Sequence, residues 1–375
     1  MARLGDVCTI YTGTGFPVQY QGNSKGKFPF YKVGDIAKNV TAGKVYLELC
    51  DNYVETDVVK KIKGSILPAG TVVFAKIGEA VKLNRRAITS CECLIDNNAM
   101  GIAPNEAVLT LDYFYHYMCQ LRLETLAEAT TVPSVKKSIV ENLDVPVPSI
   151  AEQQMISKTL NKISELIALR KEQLAKLDQL VKSRFIELFG DPNTNKMGWN
   201  KEQLQFNATL LNGRAYKQDE LLDDGKYPVL RVGNFFSNRG WYFSDLELEE
   251  EKYCDNGDLL YAWSASFGPK IWDGGKVIYH YHIWKVLVGE KYNKQFLCNL
   301  LAYATASFMG DTHGIGMMHL TKSGMEQTEF IVPPMELQEQ FAAFLEQTDK
   351  SKLAIQQSLD KQETLKKSLM QEYFG

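Results

Sequence analysis

The longest amphipathic segment of this chain occurs twice. Residues 145–190, VPVPSIAEQQMISKTLNKISELIALRKEQLAKLDQLVKSRFIELFG, return in altered form as residues 331–375. Each copy opens on two closely spaced prolines and closes on Phe-Gly, at Phe189-Gly190 and at Phe374-Gly375. A repeat of this length indicates a chain built from two related halves, which constrains the fold more than any single motif does.

The first copy has the pattern of a long helix. Pro146 and Pro148 stop the preceding element, and Ser149 with Glu152 three residues later forms a capping-box start. Apolar residues then alternate at spacings of four and three, which predicts a packed helix pair. This seam comprises Ile156, Leu160, Ile163, Ile167, Leu174, Leu177, Val181 and Leu188, with Arg170 and Arg184 in its two remaining places. Roughly 40 helical residues span about 60 Å, which is longer than one compact domain requires.

The second copy supplies a partner for this helix. Its apolar seam comprises Phe341, Leu345, Ile355, Leu359, Leu369 and Tyr373, and is interrupted by Thr348, Lys352, Gln362 and Lys366. Polar seam positions often fix the register of a helix pair at some cost in stability. Each segment alone also fits a long core helix within its own domain, but the recurrence favours a pair.

The repeat extends beyond the helices. Residues 28–36, FPFYKVGDI, reappear as residues 227–235, YPVLRVGNF, and residues 70–75 correspond to residues 257–262. Apolar runs at 71–75 and 277–287 predict strands, and helices are expected at 111–128 and 295–309. We therefore expect mixed globular domains at 1–148 and 191–334, followed by long helices at 149–190 and 335–375.

Composition narrows the function classes. The chain has 45% hydrophobic residues and a net charge of -3, which predicts ordered domains and argues against a nonspecific binder of polyanions. It contains no run of 18 apolar residues and no signal-peptide pattern, so we expect a cytoplasmic protein. The seven cysteines lack a paired CxxC spacing, and we interpret them as reduced thiols.

The motifs of common enzymes do not occur. The sole Pro-Pro pair, Pro333-Pro334, lacks the flanking residues of an adenine methyltransferase turn, and Gly13-Thr14-Gly15 lacks the third glycine of a dinucleotide loop. His280 and His282 could present two imidazoles to a metal ion, yet no carboxylate or cysteine nearby completes a ligand set. We interpret them as ordinary strand histidines, and we expect no catalytic residue, cofactor or metal site.

Together these features resemble the specificity (S) subunit of type I DNA restriction-modification systems. The resemblance covers the whole chain, and its strongest signals are Pro146, Pro148, Glu152-Gln153-Gln154, Phe189-Gly190-Asp191-Pro192, Pro333-Pro334, Gln338-Glu339-Gln340 and Phe374-Gly375. We align Ala151-Glu152-Gln153-Gln154 with Leu337-Gln338-Glu339-Gln340, which leaves the two motifs different in detail.

The resemblance implies an α+β fold in which two mixed α/β target recognition domains are separated by two long helices packed as an antiparallel coiled coil. Each domain would read one half of a bipartite, asymmetric site in double-stranded DNA, and helix length would set the unread gap. The implied partners are two adenine-methyltransferase (M) subunits and ATP-dependent restriction (R) subunits. The alternative is a two-domain interaction scaffold that dimerises through its helices without recognising DNA.

Cations in loops are the natural candidates for DNA contacts, because arginine reads guanine while lysine holds phosphates. The candidates in the first half are Lys32, Lys76, Lys82, Arg85, Arg86, Lys136 and Lys137. Those in the second half are Arg214, Lys217, Arg231, Arg239, Lys270 and Lys322, with Trp263 and His313 as further contacts. Lys32 and Arg231 occupy the same repeat position, which favours a shared scaffold or phosphate role over distinct base reading. Arg85, Arg86 and Arg214 have no such counterpart and are our candidates for sequence specificity.

Overall fold

The computed structural model describes residues 1–127, 132–237, 240–264, 266–310 and 321–375. The chain divides into two compact units. Unit 1 comprises Met1–Lys171 together with Gln357–Gly375, and unit 2 comprises Glu172–Gln356. Each unit thus combines one globular half with part of each long helix, and the four-part division expected from the sequence stays a prediction.

Unit 1 is a mixed structure built on two sheets. Its strands are β1 (Ala2–Arg3), β2 (Cys8–Thr12), β3 (Phe28–Tyr31), β4 (Tyr46–Leu47), β5 (Tyr53–Val54), β6 (Val72–Ala75), β7 (Arg86–Thr89), β8 (Leu94–Ile95), β9 (Ala99–Pro104) and β10 (Asp144–Val145). Its helices are α1 (Leu4–Val7), α2 (Val33–Thr41), α3 (Thr56–Lys61), α4 (Leu111–Gln120), α5 (Leu123–Leu126), α6 (Lys137–Glu141) and the first part of α7 (Ile150–Phe189). One sheet has the order β2-β9-β6-β7-β4 and the other the order β5-β3-β8, while β1 pairs with β10.

Unit 2 repeats this plan. Its strands are β11 (Lys201–Gln203), β12 (Ala208–Asn212), β13 (Tyr227–Leu230), β14 (Tyr242–Ser244), β15 (Tyr253–Cys254), β16 (Leu259–Ser264), β17 (Ser266–Ile271), β18 (Val277–Tyr279), β19 (Ile283–Val288) and β20 (Glu329–Ile331). The helices that follow are α8 (Val232–Phe236), α9 (Lys294–Gly310), α10 (Lys322–Gln327) and α11 (Met335–Phe374). The sheet order β12-β19-β16-β17 matches β2-β9-β6-β7, and a second sheet has the order β14-β13-β18-β15.

The central strands are buried on both faces. In β6, Val72 and Phe74 point into a core shared with α4, α7 and the end of α11, while Val73 points into a second core with α2. Alternation of this kind follows from the two-residue period of a strand, and β-branched and aromatic residues fit it best. Packing on both faces therefore fixes the position of β6 and of the residues at its end.

The two long helices pair within each unit. In unit 1, Ile156 and Leu160 near the start of α7 share a core with Met370 near the end of α11. In unit 2, Phe185 and Phe189 at the end of α7 share a core with Phe341 near the start of α11. The start of each helix thus meets the end of the other, so the pair is antiparallel.

The predicted seam positions are all at least partly covered. The residues proposed for helix pairing are Ile156, Leu160, Ile163, Ile167, Leu174, Leu177, Val181, Phe341, Leu345, Ile355, Leu359 and Leu369, and each is buried or half-buried. Ion pairs flank the seam at Lys171–Glu363 (2.8 Å) in unit 1 and at Lys352–Asp178 (2.6 Å) in unit 2. Polar residues at the seam therefore coexist with continuous helices.

A repeated glutamine explains the motif at the start of each long helix. The Gln153 amide donates to the carbonyls of Val108 and Pro148 (2.9 and 3.0 Å), and its oxygen accepts from the Thr110 N–H (2.8 Å). Gln338 makes the same three bonds with Lys291, Pro333 and Asn293 (3.0, 2.8 and 2.9 Å). Both side chains are fully buried.

This match corrects the motif alignment made from the sequence. The structural counterpart of Gln153 is Gln338, so the alignment of Gln153 with Glu339 was wrong by one residue. The capping box at Ser149 and Glu152 is confirmed, since the Ser149 N–H and hydroxyl both donate to the Glu152 carboxylate (2.9 and 2.7 Å).

Two predicted elements are shorter than expected. The helix predicted at 111–128 ends at Gln120, because the Leu121 carbonyl accepts from the Asn84 amide (3.1 Å) and from Arg86. The strand predicted at 277–287 is broken, since β18 ends at Tyr279 and β19 begins at Ile283 in a different sheet. His280 and His282 therefore lie in a turn and not within a strand.

Within the described ranges, none of the helices carries an apolar stretch long enough to span a membrane.

Candidate nucleic-acid interface

Several strand ends of unit 1 converge at one place. The turn 96–98 between β8 and β9 lies beside Thr14 after β2, Lys32 after β3 and Lys76 after β6. Three backbone hydrogen bonds hold them together: Thr14 N–H to the Ile95 carbonyl (2.9 Å), Asp96 N–H to the Tyr31 carbonyl (3.0 Å) and Lys76 N–H to the Asn98 carbonyl (2.8 Å). We call Thr14, Lys32, Lys76 and the turn 96–98 the unit 1 edge.

Further predicted cations lie in segments next to this edge in the chain or in the backbone hydrogen bonding. Lys82 and Arg85 lie in the connection from β6 to β7, where Lys82 pairs with Glu79 (2.9 Å). The segment before α6 joins them, since the Val135 N–H donates to the Lys76 carbonyl (2.8 Å). This segment ends at Lys136, and α6 begins with Lys137, which lies 3.6 Å from Glu141. Backbone hydrogen bonds thus tie Lys76 and the residue before Lys136 to the edge, while Lys82 and Arg85 lie in the connection that follows Lys76.

The seventh, Arg86, is buried. Its side chain is 3% exposed, and its guanidinium donates to the Asn84 carbonyl (2.7 Å) and to the Leu121 carbonyl (2.5 Å). Burial lowers the pKa of Arg86 to about 10. This arginine fixes the end of α4, and we leave it out of the proposed DNA surface.

A buried carboxyl group, that of Asp96, lies within the unit 1 edge. The Asp96 carboxylate accepts from the Asn98 N–H (2.9 Å) and from the Val33 N–H (3.3 Å). Burial raises the pKa of Asp96, and these hydrogen bonds and the positive charge of Lys32 oppose the rise. The Lys32 ammonium donates to the Gln21 amide oxygen (3.0 Å).

Unit 2 repeats the backbone of this edge with different side chains. The equivalent bonds are Arg214 N–H to the Tyr279 carbonyl (3.0 Å), His280 N–H to the Leu230 carbonyl (2.9 Å) and Trp263 N–H to the His282 carbonyl (3.0 Å). Arg214, Arg231, Trp263 and the turn 280–282 form the unit 2 edge. In this correspondence Trp263 takes the place of Lys76, and His280 takes the place of Asp96.

An ion pair orients one arginine of the unit 2 edge. The Arg214 guanidinium donates two hydrogen bonds to the Glu220 carboxylate (2.7 and 2.8 Å) and lies over the Tyr216 ring. The guanidinium, together with the Lys217 N–H, lowers the pKa of Glu220 to about 2. The ion pair thus fixes the orientation of the Arg214 guanidinium, and Glu220 does not use the remaining N–H donors of that group. Arg231 is exposed and lies over the Tyr242 ring, 5.2 Å from its centroid.

Aromatic rings cover the rest of the unit 2 edge. The Trp263 indole donates to the Tyr281 carbonyl (2.9 Å), and its ring meets His282 edge to face at 5.0 Å. Burial, aided by His282 and Arg231, lowers the pKa of His280 to about 4, so this imidazole is neutral near pH 7. Among the described residues no group of three His, Cys, Asp or Glu side chains is placed to bind a metal ion.

The remaining candidates lie elsewhere or outside the described residues. Lys270 lies along β17 opposite Leu260, about 13 Å from the start of that strand, and pairs with Asp273 (2.9 Å). Lys322 opens α10 and lies 3.6 Å from Glu326, as Lys137 does from Glu141 in unit 1. Arg239 and His313 fall outside the described residues.

Sequence reasoning missed the turn residues. Asn97 and Asn98 in unit 1 correspond to Tyr281 and His282 in unit 2, and Asn97 and Tyr281 are both exposed. The two asparagines carry no charge that would mark them, and the sequence favoured ordinary strand histidines at His280 and His282. The available signal was a short polar or aromatic turn between two apolar strands at matching places in each copy.

Comparisons with known proteins agree with the repeated architecture. A family model described as "Type I restriction modification DNA specificity domain" matches residues 1–179 and again residues 198–367. The two matches fall on the two copies of the repeat, which supports a duplicated chain.

Relatives and solved structures point the same way. The type I restriction enzyme EcoBI specificity subunit of Escherichia coli is 25% identical over 42% of this chain, which spans 35% of that protein. The MjaIX specificity subunit of Methanocaldococcus jannaschii is 20% identical over 80% of this chain and 76% of its own length. The crystal structure of the type I restriction-modification S subunit from M. genitalium superimposes with a TM-score of 0.60 at 13% identity, covering 100% of this chain and 95% of that one. This likeness establishes the shared fold.

Proposed function

Since the chain belongs to the type I restriction-modification DNA specificity family, we propose that it is the subunit that reads a bipartite, asymmetric DNA sequence for its complex. Each unit reads one half of the site through its edge. Methyl transfer and cleavage are performed by partner subunits, and this chain directs them to the DNA.

The observation that carries this proposal is the pair of edges. Both keep the same backbone hydrogen bonds, yet unit 1 presents lysines and amides where unit 2 presents arginines and aromatic rings. One scaffold with two different surfaces suits a reader of two different half-sites. A protein that bound two copies of one ligand would not need that difference.

The cations suit a phosphate backbone. The proposed phosphate and base contacts are Lys32, Lys76, Lys82, Arg85, Lys136 and Lys137 in unit 1 and Arg214, Lys217, Arg231 and Trp263 in unit 2. Phosphate contacts position a protein on the duplex, and base contacts select the sequence. A few placed cations suffice, which is compatible with a net charge of -3 over the whole chain.

The long helices are the proposed docking surface for two adenine-methyltransferase (M) subunits, which in turn bring the ATP-dependent restriction (R) subunits. Their outward sides expose large apolar residues, among them Met155 and Leu169 in unit 1 and Leu180 and Leu353 in unit 2.

Co-expression with the methyltransferase encoded next to this chain tests the proposal. N6-methyladenine is mapped across the genome of a host that lacks this modification. We expect methylation at one split motif with a fixed unread gap. Co-purification of the two proteins without a split motif would refute DNA reading and leave the interaction scaffold as the better account.

A further inference from the structure

We propose that the central residues of the two edge turns, Asn97 in unit 1 and Tyr281 in unit 2, determine base specificity. Asn97 reads an adenine through a bidentate amide contact, and Tyr281 packs on the methyl group of a thymine. This inference rests on the proposed function, because it assigns a base contact to each edge.

The backbone of both turns is fixed. In unit 1 the Ala99 N–H donates to the Asp96 carbonyl (3.0 Å), and in unit 2 the Ile283 N–H donates to the His280 carbonyl (2.9 Å). The Gly13 and Gly213 N–H groups close the other side on the carbonyls of Ala99 and Ile283, each at 3.3 Å. A side chain carried on so constrained a turn keeps a constant direction, as base reading requires.

A glycine makes this close approach possible in each copy. A Cβ atom at Gly13 would lie 1.7 Å from the Asp96 carbonyl oxygen, and one at Gly213 would lie 2.4 Å from the Tyr279 carbonyl oxygen. No side chain fits at either place without moving the turn. Both copies therefore keep a glycine where the turn is held and differ in the residue that the turn displays.

Asn97 has the chemistry of an adenine reader. Its side chain is exposed, and its amide has no hydrogen-bond partner among the described residues. An asparagine amide offers a donor and an acceptor side by side, which match N7 and the N6 amino group of adenine. The adjacent Asp96 is occupied with backbone N–H groups, so it leaves the amide of Asn97 to the ligand.

Tyr281 has the chemistry of a nonpolar reader. Its side chain is 39% exposed, although the ring has neighbours in His282 (3.9 Å between centroids) and Trp263 (6.0 Å). Its N–H donates to the Arg214 carbonyl (3.0 Å), which ties the turn to the arginine of the same edge. A partly exposed aromatic ring that is packed against its neighbours offers an apolar face, and the thymine methyl is the apolar group in the major groove.

Paired substitutions separate the two assignments. Asn97→Ala and Tyr281→Ala are each co-expressed as full-length chains with the methyltransferase, and the methylated motif is mapped. We expect Asn97→Ala to relax one adenine position in one half-site and Tyr281→Ala to relax one thymine position in the other. The preference for the cognate base falls by roughly tenfold to a hundredfold in each case.

Matched controls lie away from the edges. Glu106 lies two residues after β9 ends, and it is replaced in Glu106→Gln. Phe206 lies two residues before β12 begins and is 73% exposed, and Phe206→Ala removes its ring. Neither control should change the motif. Tyr281→Phe keeps the ring and should retain the wild-type motif, which separates the nonpolar contact from one made by the hydroxyl.

Modified duplexes test the wild-type complex and do not depend on the folding of a variant. Replacing one motif adenine by 7-deazaadenine removes N7, and replacing one motif thymine by uracil removes the methyl group. We expect one such change in each half-site to weaken binding about tenfold. The Asn97→Ala and Tyr281→Ala complexes should be insensitive to their respective changes.

The outcomes are distinct. A split motif that survives both substitutions unchanged, or wild-type binding that ignores both modified bases, overturns the assignment. Equal weakening on every sequence also overturns it, because that identifies a backbone contact. Absence of any split motif with the wild-type chain refutes the proposed function itself.

Discussion

The edges of unit 1 and unit 2 share a backbone and differ in their side chains. Lys76, Asp96 and Asn97 in one correspond to Trp263, His280 and Tyr281 in the other, on matching hydrogen bonds. Buried backbone groups must find partners, so the ladder that joins the strand ends is retained. The exposed side chains on the turn make none of these backbone hydrogen bonds. They can therefore differ between the two copies without loss of the fold, which would allow a second specificity.

The two turns also differ in the ionisable group that each one buries. Burial favours the neutral form of both ionisable groups in the turns, raising the pKa of Asp96 and lowering that of His280. The unit 1 turn thus holds a carboxyl group where the unit 2 turn holds an imidazole, and the carboxylate of the unit 2 edge is Glu220, paired with Arg214. Predictions about matched positions test whether the copies share a scaffold and differ in reading.

The largest expected effect is a loss of folding stability when a core phenylalanine is truncated. Phe189 is fully buried and its ring lies 4.6 Å from Phe296, whereas its counterpart Phe374 is only partly buried against Tyr113. Phe189→Ala should cost about 3–5 kcal/mol and Phe374→Ala clearly less. Thermal unfolding of the two variants checks this, and an equal loss would contradict the packing difference between the copies.

Removing the buried glutamine at the start of each long helix should lower stability by a similar amount in both units. Gln153→Ala and Gln338→Ala each remove a fully buried side chain and leave the part-buried N–H of Thr110 or Asn293 without its acceptor, at a cost of about 1–3 kcal/mol. Gln154→Ala, at the exposed neighbouring position, is the control and should change little. Denaturant titration measures all three, and a large effect in only one copy would show that the motif is not equivalent.

Lys32 and Arg231 occupy one repeat position and should act alike on DNA. Lys32→Gln or Arg231→Gln should weaken binding of the complex to all sequences and lower the salt-dependence slope by about one. Lys270→Gln, which changes a cation placed away from the edge, should leave the slope nearly constant. A change in the methylated motif, in place of a uniform loss, would reassign the position to base reading.

The smallest effect concerns pH. The pKa of His280 is about 4 in the folded state and near 6.5 in the unfolded chain. As the pH falls, the folded chain therefore protonates His280 at a lower pH than the unfolded chain does. The unfolded state therefore binds more protons, and stability falls as the pH drops from about 6.5 to about 4. His280→Asn should lose less stability over that interval. An NMR titration midpoint above 6 for His280 would contradict the burial argument.

Much of the fold follows from sequence periodicity. The heptad spacing, the prolines and the capping residues Ser149 and Glu152 were sufficient to predict two long paired helices. The breaks were harder to predict, because they depend on distant partners. Helix α4, which begins at Leu111, ends where the side chains of Asn84 and Arg86 donate hydrogen bonds to the Leu121 carbonyl. Both residues are far from Leu121 in the sequence.

The site was predictable only in part. Lys32, Lys76 and Arg231 were found from charge and from their place in the repeat, but charge alone did not distinguish the buried Arg86 from the exposed Arg231. The turns at Asn97 and Tyr281 are identified by backbone bonds between strands far apart in sequence. A single sequence does not reveal those bonds, so the equivalence of the two edges required the structure.

Photocrosslinking to DNA tests the central claim most directly. A benzoylphenylalanine is placed at position 97, at position 281 or, as a control, at position 206, and each complex is irradiated on a duplex that carries the split motif. We predict crosslinks from position 97 in one half-site, from position 281 in the other, and none above background from position 206. Crosslinks from positions 97 and 281 to the same half-site, or none from either, would contradict the claim that the two edges read the two halves.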